Sequence, residues 1–410
     1  MEIHLEKLTY DMEVNMSIVV QKFGGTSVAN EENRKLVVKK IKNLISKGHQ
    51  PVVVVSAMGR KGSPYATDTL ISLVDEEFKK NNKRAMDLLM SCGETLSTVI
   101  MCNELLKAGI EAIPLMGGEA GIKTDNNFNN ASIIDVDPKN ILKVIEDGKV
   151  PVVAGFQGIC EDGSITTIGR GGSDVTGAIL GAGLKAAEVQ IYTDVDGIMT
   201  ADPRIVSKAS LIESISYDEV FQFAEQGAKV IHPRAVEISR RYNIPLVIKN
   251  TLSDCDGTLI AGYVKENGNI ITGITHMDKR IQILISSKAN ERCNTIFHTL
   301  AEEGVSIDLI SVFPREKVFT IGEEDLEKFK SIAKRLNINY EFEENCSKIA
   351  VIGSKIRGVP GVMSRILKAL EDGDIDILQT ADSHTTIWCL VKSDRVKDAI
   401  NLLHNEFNLG

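Results

Sequence analysis

The stretch IVVQKFGGTSVANEENRKLVVKKI, residues 18–41, decides the reading of this chain. Its apolar start, Ile18-Val19-Val20, reads as a buried strand. The strand ends in Lys22-Phe23-Gly24-Gly25-Thr26-Ser27, and a helical pattern begins near Asn30. Asn30 suits the N-cap, Glu31 and Glu32 suit the first turn, and Gly48 stops the helix. A strand, two glycines and a helix N-terminus make an anion nest, because glycine lets backbone N–H groups approach closely and the helix dipole favours negative charge. Lys22 adds a full charge beside it, and Thr26 and Ser27 add hydroxyls. A Gly-Gly pair alone reads equally as a tight turn with a solvated lysine. No GxxxxGK[ST] loop occurs anywhere, so a phosphate held here is held by another fold.

Around this stretch the composition is that of a soluble globular protein of two or three domains, with 410 residues, 43% hydrophobic and 25% charged. A net charge of -9 argues against a nucleic-acid or anionic-membrane binder but leaves room for a local basic pocket. No apolar run approaches the ~20 residues of a membrane span. Glu2, Glu6, Asp11 and Glu13 precede any apolar segment, which is not the pattern of a signal peptide. Met16 directly precedes the strand, so residues 1–16 read as a disordered extension or a start upstream of the true one. The seven cysteines form no CxxC pair; Cys92, Cys102, Cys160, Cys293 and Cys389 lie in apolar contexts and read as core residues of a cytoplasmic protein. No metal site is expected among them.

Strands and helices alternate through the first 250 residues, which predicts a three-layer α/β/α sandwich around a mainly parallel sheet. Residues 51–59, PVVVVSAMG, read as a doubly buried strand with Ser56 at its carboxyl end, where ligands bind in open sheets. Thr67-Asp68-Thr69 is a candidate cap for the next helix. A helix over 87–107 contains Ser91-Cys92-Gly93-Glu94, in which Glu94, taken alone, reads as solvated. Further strands are expected at 111–116 and 150–156.

A second nest, Thr166-Thr167-Ile168-Gly169-Arg170-Gly171-Gly172-Ser173-Asp174, precedes an apolar helix over 175–184 and carries a guanidinium suited to bidentate pairing with carboxylate or phosphate. Two such nests in one domain favour an anion site over two structural turns. Gly181-x-Gly183-x-x-Ala186 imitates a dinucleotide fingerprint but falls in a helix, not after a strand. Asp194, Asp196 and Asp202 are of a type to hold ribose hydroxyls or a hydrated Mg²⁺, and are equally good turn-formers. Lys229 is a candidate second phosphate contact, whereas His232, before a proline, reads as a packed turn residue. A strand over 245–249 closes this domain, and 251–270 reads as a connector. The last 140 residues repeat weakly: Ile296-Phe297-x-x-Leu300 with Gly304 and Ile307-Asp308-Leu309-Ile310 echoes Ile366-Leu367-x-x-Leu370 with Gly373 and Ile375-Asp376-Ile377-Leu378. The separation of about 70 residues suits two small ferredoxin-like βαββαβ units.

The strings KFGGTSVA, VVVSAMG, SCGE, TIGRGGSD, YTDVDGIMTADPR and GAKVIHPRA together resemble the monofunctional aspartate kinases of the amino-acid kinase superfamily, over about residues 17–405. GVPGV and QTADSHTTIW resemble the second of their paired ACT domains, which are small-molecule sensing modules. The resemblance implies a catalytic domain over 17–250 and a regulatory region over 271–410, with ACT units near 275–340 and 345–405. It implies transfer of phosphate from ATP, with Mg²⁺, to the β-carboxylate of L-aspartate, the first step toward lysine, threonine and methionine by way of diaminopimelate. By position, Lys22, Phe23, Gly24 and Gly25 would meet the ATP phosphates, and Ser56, Thr193, Asp194, Asp202, Arg204 and Lys229 would fall at the nucleotide. Thr26, Ser27, Thr67 and Asp68 would lie near the substrate. Glu94 would accept the aspartate ammonium and Arg170 its α-carboxylate, with Gly171, Gly172, Ser173 and Asp174 completing the pocket. Lys22, Arg170 and Asp174 are the catalytic candidates. A β-carboxylate with a pKa near ~4 is already ionised at pH 7, so this chemistry requires alignment and charge cancellation rather than a base.

An effector amino acid (lysine, threonine or diaminopimelate) is implied at the ACT pair, with Asp308, Val359, Gly361, Val362 and Gln379 as candidates, and a homo-oligomer, dimer or tetramer, is implied through the same domains. Two features depart from the family pattern. Residues 287–293 lack the Gly-Pro-Gly turn kept at 359–362, and Phe313-Pro314 replaces a polar run. The rival readings are a kinase for glutamate, N-acetylglutamate, carbamate or UMP, and an amino-acid sensor with an inert kinase domain.

Overall fold

The computed structural model describes residues 17–228, 230–263, 269–286, 294–354, 356 and 359–410. The expected extension at 1–16, Lys229, Cys293 and the departure at 287–293 lie outside the described residues. The chain forms two compact units, and the first comprises described residues 17–198, 211–224 and 230–263.

The first unit opens with β1 (Ile18–Phe23), α1 (Glu31–Ser46) and β2 (Gln50–Val55). Asn30 caps α1 as expected, its side chain accepting from Asn33 N at 2.8 Å. Next come α2 (Thr67–Ile71), α3 (Glu76–Asn81), α4 (Lys83–Lys107), β3 (Ala112–Leu115), β4 (Ile122–Thr124), β5 (Ile133–Val136), α5 (Lys139–Glu146) and β6 (Val150–Ala154). The unit continues through β7 (Gln157–Ile159), β8 (Ile165–Thr167), α6 (Gly172–Gly183), β9 (Glu188–Thr193), β10 (Ser214–Ser216), α7 (Tyr217–Glu225), α8 (Pro233–Tyr242), β11 (Leu246–Asn250) and β12 (Thr258–Ala261). The main sheet runs β10-β12-β11-β9-β1-β2-β6-β3 and is parallel except where β11 meets β12; β5-β4-β7-β8 form a smaller second sheet. The strand β12 lies within the stretch read as a connector, which therefore contributes to the main sheet.

Strand alternation sorts the side chains of β1 between two faces. Phe23 packs with Val53, Val55 and Val152 under α1 and α4, and stacks on Tyr192 with ring centroids 4.7 Å apart. Lys22 takes the opposite face, beneath α6, where a Cβ on Gly177 would lie 3.4 Å from the Lys22 Cβ. The spurious dinucleotide motif has the same packing role, since a Cβ on Gly181 would sit 2.4 Å from the Val189 Cγ2 of β9. Helix α4 is long and apolar enough by composition to cross a membrane, yet half of that window is buried, and its buried face carries Asp87, Glu94 and Glu104. Cys92 lies on its exposed side, contrary to the core reading; Cys160 and Cys389 are buried as expected and Cys102 is half-buried.

The second unit comprises 199–210, 225–228 and described residues from 269 onward. It contains β13 (Gly273–Ser286), α9 (Asn294–Glu302), β14 (Ile307–Val312), β15 (Glu316–Gly322), α10 (Leu326–Arg335), β16 (Glu341–Ile352), α11 (Val362–Glu371), β17 (Gln379–Asp382), β18 (Thr386–Lys392) and α12 (Val396–Glu406). One sheet, β14-β15-β13-β16-β18-β17, joins both repeats. The repeats interleave: β13 shifts register between Met277 and Arg280, so its first half lies along the end of β16 and its second half along β15. Ile274 accordingly packs with α11 and α12, and Ile281, Ile283 and Ile285 pack with α9 and α10. Segment 199–210, inside the stretch read as catalytic, instead places Ala201 and Val206 in the α11–α12 core.

Replacing Gly181 by Val should destabilise the first unit by about 1–3 kcal/mol through overpacking against β9. An unchanged urea midpoint would show that this close helix–strand approach is not required.

Candidate active site

The carboxyl ends of β1, β2 and β6 open on a cleft of about 940 Å³, lined by Lys22, Gly25, Ser56, Thr67, Asp68, Glu94 and the run Arg170-Gly171-Gly172-Ser173-Asp174, among others. The two glycine nests thus face one space, as the sequence suggested. Gly172, Ser173 and Asp174 form the first turn of α6 rather than preceding it, so the Asp174 carboxylate sits at the positive end of that helix. Lys22 Nζ lies 2.6 Å from Asp174 Oδ1, with only 11% and 14% of the two side chains exposed. Asp174 Oδ2 also accepts from His232 N at 3.3 Å.

Glu94 is buried at 3% exposure, not solvated. Its Oε1 accepts from Ala57 N at 3.0 Å, while Oε2 is buried with no hydrogen-bond partner among the described residues. Burial raises its carboxyl to about 8, against the opposing pull of the Ala57 N–H and Lys22. A buried, unpaired acceptor beside a polar cleft is a group prepared for a donor from outside. Arg170, exposed at the tip of the second nest, brings a cation to the same cleft.

Thr67 and Asp68 line the cleft because they do not cap α2; Ala66 is the N-cap and supplies no side chain. His232 behaves as the packed residue expected. Its ring would be 2.2 Å from a Cβ on Gly171, its Nδ1 accepts from Arg234 N at 3.3 Å, and burial holds its pKa below the ordinary value.

Several expected contacts are occupied by the fold. The Gly24 N–H extends the sheet by donating to Tyr192 O at 3.1 Å, and Phe23 is a core side chain on the face away from Lys22. Ser27 Oγ is buried against Thr251 Oγ1 at 2.6 Å, and the Thr26 carbonyl accepts from Asn33 Nδ2 at 2.8 Å. Thr193 donates to Asp194 at 3.2 Å, and Asp194 pairs with the cleft residue Arg60 at 2.6 Å. Asp202 and Arg204 belong to the second unit, where they pair with each other at 2.6 Å.

Of the effector candidates, Asp308 pairs with the buried Lys348, and Gln379 Nε2 donates to Leu309 O and, at 3.1 Å, to Ser311 Oγ. Gly361 is the N-cap of α11 with φ +91°; Val362 points into the core and Val359 packs against it, so neither offers a free side chain.

Sequence reading missed Arg60, Lys61, Asn129 and Phe156 in the cleft wall, and Asp87 behind it. The paired cations directly after VVVSAMG were a usable signal, as was the i, i+7 spacing of Asp87 and Glu94 on one helix face. Nothing local marked Asn129 or Phe156.

Residues 17–250 match the amino acid kinase family, and residues 341–405 match an ACT domain. Aspartokinase 1 of Bacillus subtilis is 43% identical over 403 residues, covering 96% of this chain and 100% of that protein. Among solved structures, the aspartate kinase of Clostridium acetobutylicum aligns with a TM-score of 0.78 at 27% identity, over 95% of this chain and 100% of that one. E. coli aspartokinase III, solved in complex with lysine and aspartate, aligns with a TM-score of 0.75 at 25% identity, over 95% and 99% of the two chains. With that likeness running almost end to end, the chain belongs to the aspartokinase family, an amino acid kinase domain followed by an ACT region.

Proposed function

We propose that this enzyme transfers the γ-phosphoryl group of MgATP to the β-carboxylate of L-aspartate, giving 4-phospho-L-aspartate and ADP. The observation that carries the reading is the buried, unpartnered Glu94 Oε2 in the wall of a cleft that also contains Arg170 and Lys22. That set is complementary to an amino acid: Glu94 for the ammonium, Arg170 and the Gly171-Gly172-Ser173 turn for the α-carboxylate. A β-carboxylate oxygen attacks the γ-phosphorus while the bond to the β,γ-bridging oxygen breaks and ADP leaves. No proton needs to move, and Lys22 cancels charge between the two anions as they meet. Gly25, Ser56 and Arg60, all lining the cleft, suit the nucleotide side. Mg²⁺ belongs to the MgATP substrate. Among the described residues no cluster of three or more His, Cys, Asp or Glu forms a resident metal cage, and carboxylates of the cleft wall such as Asp68 and Asp174 suit an ion that keeps its phosphate and water ligands. The need for MgATP and free aspartate places the enzyme in the cytoplasm.

The second unit, in this reading, binds an end-product amino acid of the lysine, threonine and methionine pathway and lowers activity. Its ACT match supports this, as does the lysine held by the E. coli relative. Exposed Ile310, Val312 and Phe313 supply apolar surface for a homo-oligomeric contact there.

Lys22→Ala should lower kcat by about 10³-fold or more while the circular dichroism spectrum stays unchanged. Near-normal kcat would remove Lys22 from the chemistry. For Glu94, kcat/KM for aspartate should rise from pH 6 to a plateau above pH 8, as the raised carboxyl ionises in the free enzyme. Glu94→Gln should lower kcat/KM about 10–100-fold and flatten that rise. The same raised carboxyl costs stability: the fold keeps its full stability below the unfolded value of 4.5 and loses part of it as pH climbs toward 8. The Tm of Glu94→Gln should therefore gain on wild type between pH 5 and pH 8, and a pH-independent difference would contradict the burial argument.

The overall test is aspartate-dependent ADP release from MgATP, repeated with glutamate and with lysine, threonine and diaminopimelate added singly and together. Activity on aspartate but not glutamate, lowered by one of the additions, is the expected result. ADP release on glutamate alone would move the reading to another amino acid kinase.

A further inference from the structure

Behind the cleft wall, Asp87 is fully buried, at 0% exposure. Its carboxylate takes four contacts from neutral donors. Oδ1 accepts from Thr167 Oγ1 at 2.6 Å, Oδ2 accepts from Thr167 N at 2.8 Å, and Asn129 N reaches both oxygens at 3.0 Å. No lysine or arginine among the described residues forms an ion pair with it. Asp87 is not itself part of the cleft lining.

The donors come from two cleft-lining loops. Thr167 ends β8 and leads through Ile168 and Gly169 into Arg170; Asn129 lines the cleft in a left-handed conformation, φ +72°. The two loops are also in contact with each other. Ala131 N donates to Thr167 O at 2.9 Å, and a Cβ on Gly169, itself at φ +77°, would fall 2.5 Å from Asn130 Oδ1. From the other side, Arg234 Nη1 donates to Ile168 O at 2.7 Å. The segment before Arg170 is therefore held at each residue, and among the described residues its contacts with a charged acceptor are those to Asp87. Asp87 and Glu94 lie on the same buried face of α4, two helical turns or about 10 Å apart.

We propose that Asp87 is a positioning residue of the amino-acid site, locking the Thr167–Arg170 loop and the Asn129 loop to α4 so that Arg170 and Glu94 keep a set separation. A rigid helix then presents the ammonium acceptor directly and the carboxylate donor indirectly. This inference rests on the aspartate kinase reading. A small misplacement of a binding group costs substrate affinity and alignment steeply, whereas the phosphate side of the cleft, built from β1 and β2, does not pass through Asp87.

The test uses the full-length chain and steady-state kinetics in both substrates. In Asp87→Asn an amide N–H₂ replaces one carboxylate oxygen and opposes N–H donors from Thr167 or Asn129. KM for aspartate should rise about tenfold or more and kcat should fall with the lost alignment, while KM for MgATP stays within about threefold of wild type. If Asp87→Asn does not fold, Thr167→Val removes one donor only and should raise KM for aspartate several-fold, with Thr167→Ser, which keeps the hydroxyl, restoring it. An unchanged KM for aspartate would overturn the inference. So would a parallel rise in both KM values tracking a fall in Tm, which is the signature of a purely structural clamp. Absence of aspartate-dependent ADP release in the unaltered chain would overturn the functional reading itself, a result distinguishable from either variant outcome.

Discussion

A lysine ion-paired within the sheet sets the terms for the rest of the first unit. The Lys22–Asp174 pair is nearly sealed from solvent, and removing two charges from water is costly unless the geometry returns most of that free energy. Two features do so. The pair distance is 2.6 Å, and Asp174 lies in the first turn of α6, where the helix dipole favours an anion. The geometry in turn has α6 lying close over β1, where a Cβ on Gly177 would come within 3.4 Å of the Lys22 Cβ. In the proposed reaction, a lysine so held is aligned before the substrate arrives.

Helix α4 carries the complementary carboxyl groups. Its apolar composition would suit a membrane span, but the acids on its buried face give it a different use. Each is satisfied in its own way. Asp87 is saturated by backbone and hydroxyl donors, Glu104 pairs with Lys107 at 2.9 Å, and Glu94 is left half satisfied. The first two are complete without a ligand, whereas the third keeps one oxygen with no partner among the described residues.

The second unit shows how far chain order and spatial order can diverge. A register shift in β13 divides one strand between two cores, so neither repeat is closed by its own consecutive residues. The chain leaves the first unit after Ile198 and returns at Leu211, and between these points it is integrated with α12: Thr200 Oγ1 lies 3.0 Å from His404 Nε2, and Ser210 Oγ donates to Leu409 O at 3.0 Å. A segment that the sequence joins to the nucleotide motif is thus part of the core completed by the C-terminal helix.

The alternation of strands and helices, the Asn30 cap, the two glycine nests and the family itself were legible from sequence, because each depends on local conformational preference or on strings of adjacent residues. What the sequence could not show shares a cause. Gly24 N–H, Phe23 and Ser27 have the chemistry of groups at an anion site, but Tyr192 and Thr251, remote in the chain, engage them in the fold. The burial of Glu94 and the place of Asp202 in the second unit were hidden for the same reason, since burial and unit membership are set by which elements pack together. The sequence alone determined which groups this protein has for handling anions and amino acids. Only the tertiary structure decided which of them face the cleft unpaired, because a hydrogen-bonding group is available to a ligand only where no distant part of the chain has satisfied it first.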